Sequence, residues 1–258
     1  MAQGTALVTG ASAGLGAEFA RLCAAAGYDV VLAARTAPRL TDLAARLSAD
    51  YPVHAEPLVV DLADPAAPGA IYAALSARPI DILINNAGFA VQGAFAQTDW
   101  QHEAALLQVN VASLAHLTKL FVPGMLQRRQ GRILNVASTA AFVPGPFMAM
   151  YYASKAFVLS FSEALANEVR GSGVTVTALC PGPTRTEFAS AAGVADSPLF
   201  RGPTMGAEEV ARIGFRAMMA GKPSVIAGAG NRWMMRGVRM IPRSWAADAA
   251  ARLNREQH

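Results

Sequence analysis

The sequence predicts an α/β fold: one doubly wound parallel sheet with helices on both of its faces. Two observations lead to this prediction. Short runs rich in Val, Ile, Leu and Ala alternate along the chain with longer segments of helical periodicity. The short runs are continuously apolar, which is typical of parallel strands buried on both faces. With 258 residues, 53% of them hydrophobic, the chain is long enough to bury one large core.

The predicted strands and helices alternate in chain order. We expect strands at 6–9, 28–33, 54–60, 80–84, 132–136, 174–179 and 224–227. We expect helices near 15–26, 37–49, 66–77, 98–128, 150–170 and 207–220. Strand–helix–strand units of this kind cross over in a right-handed sense, so that the strands run parallel. Ligands of such sheets bind at the carboxyl ends of the strands.

The start of the chain, its cysteines and its charge exclude several classes of protein. Residues 1–5 lack the charged start and apolar run of a signal peptide. The sequence has no run of about 18 uninterrupted apolar residues, so we expect no transmembrane helix. Cys23 and Cys180 have no neighbours at metal-ligand spacing, so we expect core thiols, no metal site and a cytoplasmic location. The net charge of +4 comes from residues 231–258, so the body lacks the basic face of a nucleic-acid-binding protein.

The first strand leads into a glycine-rich loop that opens the first helix, Thr9-Gly10-Ala11-Ser12-Ala13-Gly14-Leu15-Gly16. Glycines let the backbone approach a pyrophosphate closely, and a helix N-terminus offers amide donors to it. The alternative is an ordinary glycine-rich turn, but the strand before it and the helix after it favour a dinucleotide site of the Rossmann type. We expect cofactor contacts from Gly10, Ser12, Ala13, Gly14, Leu15 and Gly16.

The end of the second strand indicates which nucleotide binds. NAD-binding folds often carry an acid here, which holds the 2′-hydroxyl of the ribose. This chain has Ala34 and then Arg35, and a guanidinium suits the 2′-phosphate of NADP by charge and by geometry. Ser12 and Arg39 are candidates to assist. The alternative is a solvated loop arginine, but the missing acid argues separately against NAD, and we expect NADP(H) as the cofactor.

The next two strands also end in candidate cofactor residues. Asp61 and Leu62 follow the third strand, where a carboxylate can accept from the adenine amine. The fourth strand ends in Asn85-Asn86-Ala87-Gly88, whose small residues allow close approach of a cofactor. The alternative for the asparagines is a role in stabilising turns. We expect cofactor contacts from Asn86, Ala87 and Gly88.

A tyrosine and a lysine one helical turn apart indicate acid–base chemistry. Tyr151 and Lys155 share a helix face, and an ammonium beside a phenol favours the phenolate and lowers the phenol's pKa. Ser138 supplies a hydroxyl that can hold a substrate oxygen beside the phenol. Tyr152 is three residues before Lys155 and shares the same face, so the spacing alone leaves Tyr151 and Tyr152 as alternatives.

Together these residues resemble the classical form of the short-chain dehydrogenase/reductase family. The resemblance extends in order over residues 4–190 and rests on Thr9-Gly10-x-x-x-Gly14-x-Gly16, Asn85-Asn86-Ala87-Gly88, Asn110, Ser138, Tyr151-x-x-x-Lys155 and Pro181-Gly182. The family pattern Tyr-x-Ala-Ser-Lys selects Tyr151 over Tyr152. It implies a catalytic tetrad of Asn110, Ser138, Tyr151 and Lys155. It also implies nicotinamide contacts from Pro181, Gly182, Thr184 and Thr186, and contacts to the cofactor from Tyr151 and Lys155.

The resemblance also implies the reaction. Tyr151 would exchange the proton, Ser138 would hold the substrate oxygen, and Lys155 would lower the pKa of Tyr151 and hold the ribose. Asn110 would anchor a water that links Lys155 to solvent. The implied enzyme is an NADP(H)-dependent oxidoreductase acting on a ketone or aldehyde or the matching secondary alcohol, assembled as a homodimer or homotetramer. The alternatives are a non-catalytic NADP-binding sensor or scaffold, and an NAD-linked alcohol dehydrogenase.

Two regions bear on the substrate. Residues 185–206 form a long link of apolar residues that we expect to be a substrate lid. An opposite wall is expected from Phe142, Val143, Pro144 and Phe147, so that the substrate is a small hydrophobic molecule. The alternative for each apolar residue is core packing.

We expect residues 1–230 to form one cofactor-binding and catalytic domain, followed by a basic, apolar tail at 231–258 that is no independent domain. The tail carries six arginines and two acids among residues such as Trp233, Met234 and Trp245, and Pro242 breaks any single long helix. Three roles are open for this tail. It caps the substrate pocket or a subunit interface, it lies on an anionic membrane surface, or it is a solvated helix whose apolar side packs on the body. Packing or an interface is favoured over peripheral membrane contact.

Overall fold

A computed structural model describes residues 2–188, 204–238 and 240–255 of the chain. Seven parallel strands form one sheet in the order β3-β2-β1-β4-β5-β6-β9. The strands of this sheet are β1 (Thr5–Thr9), β2 (Asp29–Ala34), β3 (Ala55–Val59), β4 (Ile82–Asn85), β5 (Gly131–Val136), β6 (Val174–Cys180) and β9 (Ser224–Ile226). The order reverses between β1 and β4, so the carboxyl ends of these two strands flank a crevice where such sheets bind ligands.

Helices cover both faces of the sheet. They are α1 (Gly14–Ala25), α2 (Ala37–Asp50), α3 (Ala67–Ala74), α4 (Trp100–Leu107), α5 (Leu114–Arg128), α6 (Ala149–Glu168), α7 (Ala207–Met219), α8 (Ala229–Val238) and α9 (Arg243–Asn254). A π-helical segment at Gln108–Ser113 joins α4 to α5, and a 3-10 turn at Thr139–Phe142 follows β5. The doubly wound parallel sheet that the sequence predicts is confirmed, and it is a Rossmann-like fold.

Alternate residues of each central strand enter two separate cores. Ala6 and Val8 of β1 pack with α1, α2 and α7 on one face, whereas Leu7 lies in the cluster on the other face with α3 and α5. Both sets are fully buried, because parallel strands covered by helices expose neither face. Cys23 and Cys180 are buried, as expected of core thiols.

The structure differs from the sequence prediction at a few elements. The helix expected over 98–128 begins at Trp100, where the Asp99 carboxylate caps it, and changes to π-helix at Gln108–Ser113. By length and composition, Trp100–Arg128 is the one helical segment of the described chain that could cross a membrane. Half of its most apolar 18-residue stretch is buried, and the segment packs on α3 and β5 as a core helix. Two short strands, β7 (Thr184–Arg185) and β8 (Met205–Gly206), pair at the two ends of the expected lid.

The end of the chain forms two helices that pack on the body. Pro242 stands at the N-cap of α9, so the two helices are separate, as the sequence predicts. Ala246, Ala250 and Asn254 form the buried face of α9 at helical spacing. Because Gln92 Nε2 donates to the Asn254 carbonyl at 2.7 Å, α9 is tied to the loop after β4.

Candidate active site

A cavity of about 630 Å³ opens at the carboxyl ends of the central strands. Eighteen of the predicted catalytic and cofactor-binding residues line this cavity. The predicted residues that line it are Gly10, Ser12, Ala13, Gly14, Leu15, Arg35, Asp61, Leu62, Asn86, Ala87, Gly88, Ser138, Tyr151, Lys155, Pro181, Gly182, Thr184 and Thr186. Gly16 and Asn110 do not line it; they lie behind the wall and shape it.

The three glycines of the first loop are each required by geometry. Gly10 and Gly14 have φ values of 64° and 55°, in the left-handed region that favours glycine. A Cβ on Gly16 would overlap the carbonyl oxygen of Gly10. Ala13, at the N-cap of α1, has no side-chain oxygen to cap the helix, so the first amides of α1 face the cavity as donors for an anion. The loop therefore fits a pyrophosphate.

Thr9 and Asn86 fix this loop against the next one. Thr9 Oγ1 accepts from the amides of Asn86 at 3.0 Å and Ala87 at 3.1 Å. Asn86 Nδ2 donates to the carbonyls of Thr9 at 3.0 Å and Gly10 at 3.2 Å. The Asn86 amide, expected to contact the cofactor, thus holds two backbone segments together while its residue still lines the cavity. The sequence pattern includes Thr9 but does not reveal this role.

The rim near β2 carries the groups that select the nucleotide. Arg35 follows Ala34, is exposed and lines the cavity, and no acid occupies the end of β2. Arg39, predicted to assist, instead pairs with Glu187 across a 2.6 Å contact between Nη1 and Oε2. Asp61 uses one carboxylate oxygen to accept from the Ala63 amide at 3.0 Å. Its contact with adenine stays a prediction.

The geometry separates the two tyrosines that spacing could not separate. Tyr151 forms a hydrogen bond with Ser138, and its ring centroid lies 5.8 Å from Lys155 Nζ. The Tyr152 hydroxyl donates instead to Asn254 Oδ1 at 3.1 Å. Tyr151 therefore has the hydroxyl partner and the ammonium neighbour, and Tyr152 is committed to the C-terminal helix.

Protein burial, rather than the lysine, controls proton affinity at this site. Burial raises the pKa of Tyr151 to about 12, opposed by the hydrogen bond with Ser138, which lowers it. Burial also lowers the pKa of Lys155 to about 8. The expected lowering of the Tyr151 pKa by Lys155 is not seen. The Lys155 ammonium donates to the Val136 carbonyl at 2.9 Å instead of turning to the phenol.

Asn110 sits in the π-helical segment, a distortion that is frequent at functional sites. Its Oδ1 accepts from the Phe89 amide at 3.1 Å, and its Nδ2 donates to the Phe89 carbonyl at 2.9 Å and to Ser154 Oγ at 3.1 Å. The side chain thus ties the loop after β4 to α6, with Gly88 packed between Asn110 and Lys155. The water-anchoring role of Asn110 stays a prediction.

The substrate side is mostly apolar, with His102 and Thr139 as its polar members, but its residues differ from those predicted. The cavity does not include Phe142, Val143, Pro144 or Phe147. Phe147 lies beneath the Arg255 guanidinium, at 5.4 Å from its ring centroid, because its backbone φ of 64° turns it toward the tail. The wall comes instead from Tyr152, which the sequence offered only as an alternative to Tyr151, and from residues that the sequence pattern does not single out: Phe89, His102, Thr139, Ala140 and Met148. Phe188 of the expected lid also lines it, whereas residues 189–203 of that lid lie outside the described residues.

The site can be compared with known proteins. A very-long-chain 3-oxoacyl-CoA reductase of Emericella nidulans is 40% identical over 176 residues, covering 66% of this chain and 51% of that protein. The chain thus spans about half the length of the curated relatives it matches. A short-chain dehydrogenase from Sphingobium yanoikuyae in complex with NADPH is 36% identical, with a TM-score of 0.82 and coverage of 95% of this chain and 99% of that one.

A third similar structure contains NAD rather than NADPH. A short chain dehydrogenase/reductase from Burkholderia phymatum in complex with NAD is 28% identical, with a TM-score of 0.81 and coverage of 91% of this chain and 92% of that one. The short chain dehydrogenase family model matches residues 4–195. Because that match covers most of the chain and its motif residues meet in one cavity, the chain belongs to the short-chain dehydrogenase family.

Proposed function

We propose that this protein is an NADP(H)-dependent oxidoreductase that interconverts a hydrophobic ketone or aldehyde and the matching alcohol. One observation carries the proposal. The Tyr151–Ser138 hydroxyl pair, with Lys155 buried beside it, shares a cavity with a glycine loop shaped for a pyrophosphate. A non-catalytic nucleotide sensor has no need of this pair, which disfavours the scaffold alternative.

The chain's own groups supply the acid–base part of the reaction. A bound nicotinamide nucleotide would supply or accept the hydride. Besides its hydrogen bond with Tyr151, Ser138 Oγ accepts from the Ala140 amide at 3.1 Å and makes a long, 3.4 Å contact to the Pro181 carbonyl. Its hydrogen can therefore turn to a substrate oxygen. Tyr151 stays protonated at neutral pH, since its pKa is raised to about 12, and is the acid for reduction.

Lys155 completes the site by charge. When Tyr151 gives up its proton, the phenolate that forms is stabilised by the nearby ammonium. With a pKa lowered to about 8, Lys155 is mostly protonated at neutral pH but close enough to release a proton readily. It can thus both stabilise the phenolate and help to restore the phenol.

The cofactor preference is supported by the rim of the cavity. Arg35 is exposed at the end of β2, which suits a 2′-phosphate, and no acid stands there to accept a hydrogen bond from a 2′-hydroxyl. The Sphingobium yanoikuyae relative is in complex with NADPH, and the Burkholderia phymatum relative with NAD. NADP(H) is therefore the proposed cofactor, and an NAD-linked enzyme is the alternative.

The substrate class is supported by the apolar wall. Phe89, Ala140, Met148, Tyr152 and Phe188 offer few polar partners, which fits a hydrophobic carbonyl compound. The Emericella nidulans relative is named for 3-oxoacyl-CoA reduction, so a 3-oxoacyl chain is a first candidate. We also propose a cytoplasmic homodimer or homotetramer, which the stacked rings of Phe157 and Phe161 on α6 would suit as an interface.

The test is a panel of ketones, aldehydes and 3-oxoacyl esters, followed by loss of NADPH absorbance. We expect Tyr151→Phe to abolish turnover while NADPH still binds, because the variant loses the proton-donating hydroxyl but keeps the glycine-rich loop that binds the nucleotide. Tyr152→Phe is the matched control, and we expect it to keep turnover within about tenfold of the wild type. Comparable turnover in Tyr151→Phe would remove the proposed role of Tyr151.

A further inference from the structure

The outer side of the two C-terminal helices is unusually apolar for an exposed surface. Among the described residues, twelve large apolar side chains are exposed, and six of them fall within residues 229–255. Trp233 is 70% exposed, Trp245 65% and Met240 86%. We call this the tail surface; its exposed apolar residues are Trp233, Met234, Met240, Ile241, Trp245 and Leu253. Clusters of this kind mark interaction sites rather than ordinary surface.

The tail surface is not needed to hold the tail on the body. Met235 of α8 and Ala246, Ala250 and Asn254 of α9 are buried and make the contacts with the rest of the fold. The tryptophans project from the other sides of these helices. The exposed apolar groups are therefore available to a partner outside the chain.

The charge around these side chains points to an anionic partner. The described part of the tail carries five arginines and one acid, Asp248. None of those arginines forms an ion pair with a described residue. The Arg236 guanidinium lies 5.1 Å from the centroid of the Trp233 ring, which places a cation and an indole side by side at the surface.

We propose that the tail surface docks on an anionic lipid bilayer. Indole rings favour the boundary between headgroups and acyl chains, and guanidinium groups bind lipid phosphates through paired hydrogen bonds. A second copy of the chain fits less well. A two-fold contact would set one group of arginines against the same group on the partner, with one aspartate on each side to offset them.

Docking would bring the bilayer beside the substrate side of the cavity. Asn254 bonds to the Tyr152 hydroxyl and to the Pro146 carbonyl, and Arg255 covers Phe147. The tail is thus joined to the segment that carries the apolar wall. If the proposed function holds, a membrane-dissolved carbonyl compound reaches the cavity from the lipid; the docking itself does not depend on that function.

The experiment measures vesicle binding by the full-length protein without substrate, so that its outcome is separate from any test of activity. We expect flotation with vesicles of phosphatidylcholine and phosphatidylglycerol, weakened by salt, and none with phosphatidylcholine alone. Trp233→Ser with Trp245→Ser should weaken binding at least about tenfold, since both anchors are removed. Trp100→Ser, which removes a tryptophan that is 63% exposed on α4, is the matched control and should bind like the wild type.

Fluorescence gives a second readout, because the chain has three tryptophans and two lie on the tail surface. In Trp100→Phe, phosphatidylglycerol vesicles should shift the emission to shorter wavelength. The proposal is overturned if the wild type fails to bind phosphatidylglycerol vesicles, or if the double serine variant binds as well as the wild type. One further outcome would assign the tail surface to another partner. If neither the wild type nor the double serine variant binds vesicles, and sedimentation velocity shows an oligomer for the wild type but not for the variant, the surface joins copies of the chain and the proposal is overturned.

Discussion

At the scale of single residues, the charge of Arg35 at the end of β2 should contribute to the preference for NADPH over NADH. A charge-assisted hydrogen bond to a phosphate is worth about 1.5–3 kcal/mol. We therefore expect Arg35→Ala to reduce the preference for NADPH over NADH by roughly tenfold to a hundredfold. The measurement is the ratio of kcat/KM values for the two nucleotides. Arg39→Ala is the matched control and should change the ratio less, since Glu187 already engages Arg39. An unchanged ratio in Arg35→Ala would refute the 2′-phosphate role.

Lys155 gives the site a predictable response to pH. Its pKa is lowered to about 8 by burial, so the ammonium is present below that pH and is lost as the pH rises through it. Because the phenolate of Tyr151 needs this charge, we expect kcat/KM for carbonyl reduction to fall as pH rises through about 8. Tyr151 itself, with a pKa raised to about 12, stays protonated over this range.

The pH profile has its own control in Lys155→Arg, whose guanidinium does not lose its proton in this range. Whatever activity that variant retains should show no break near pH 8. A wild-type profile that stays flat from pH 7 to about pH 10 would contradict the role of the Lys155 charge.

At the scale of elements, Asn254 joins α9 to the substrate side. It accepts from Tyr152 at 3.1 Å and donates to the Pro146 carbonyl at 3.0 Å, while only 1% exposed. Asn254→Ala would leave the Tyr152 hydroxyl and a carbonyl without these partners, at a cost of about 1–3 kcal/mol. We expect a lower Tm and faster tryptic cleavage within α9. Asn167→Ala, at an exposed position of α6, is the matched control and should leave both unchanged. Equal Tm values for the two variants would show that Asn254 does not secure the helix.

The elements themselves were largely predictable, because apolar runs identify buried parallel strands. The strand predicted at 132–136 is found at Gly131–Val136, and the helix predicted at 150–170 is Ala149–Glu168. The π-helical segment around Asn110 was not predictable, since its sequence shows no change in apolar pattern. Neither was the pairing of β7 with β8, since two-residue strands leave no periodicity.

In the candidate site, too, some features could be predicted from the sequence and others could not. The glycine loop could be predicted because its pattern is local, whereas Tyr151 was predicted over Tyr152 only through the family pattern. The bond between Tyr152 and Asn254 joins residues 102 positions apart, and no local signal marks it. The wall expected from Phe147 was wrong because a left-handed backbone at that residue, which sequence does not reveal, directs its ring toward Arg255.

At the scale of the whole molecule, burying Lys155 beside the cavity should cost stability. Its pKa falls from an ordinary 10.5 to about 8 on folding, so between these values the unfolded chain holds a proton that the folded protein has released. The free energy of unfolding contributed by this group therefore rises with pH from about 8 to 10.5. Over the full interval the change is about 3 kcal/mol.

Lys155→Met isolates this effect, because the other titrating groups are shared by both proteins and cancel. We expect the variant to lose activity but to exceed the wild type in stability near pH 7, where the buried ammonium is a cost. As the pH rises from about 8 to 10.5, the wild type should gain on the variant by up to about 3 kcal/mol. Urea unfolding of both proteins across this range measures the difference. A difference that stays constant with pH would mean that Lys155 keeps its ordinary pKa in the fold, and that the charge supporting Tyr151 is solvated rather than buried.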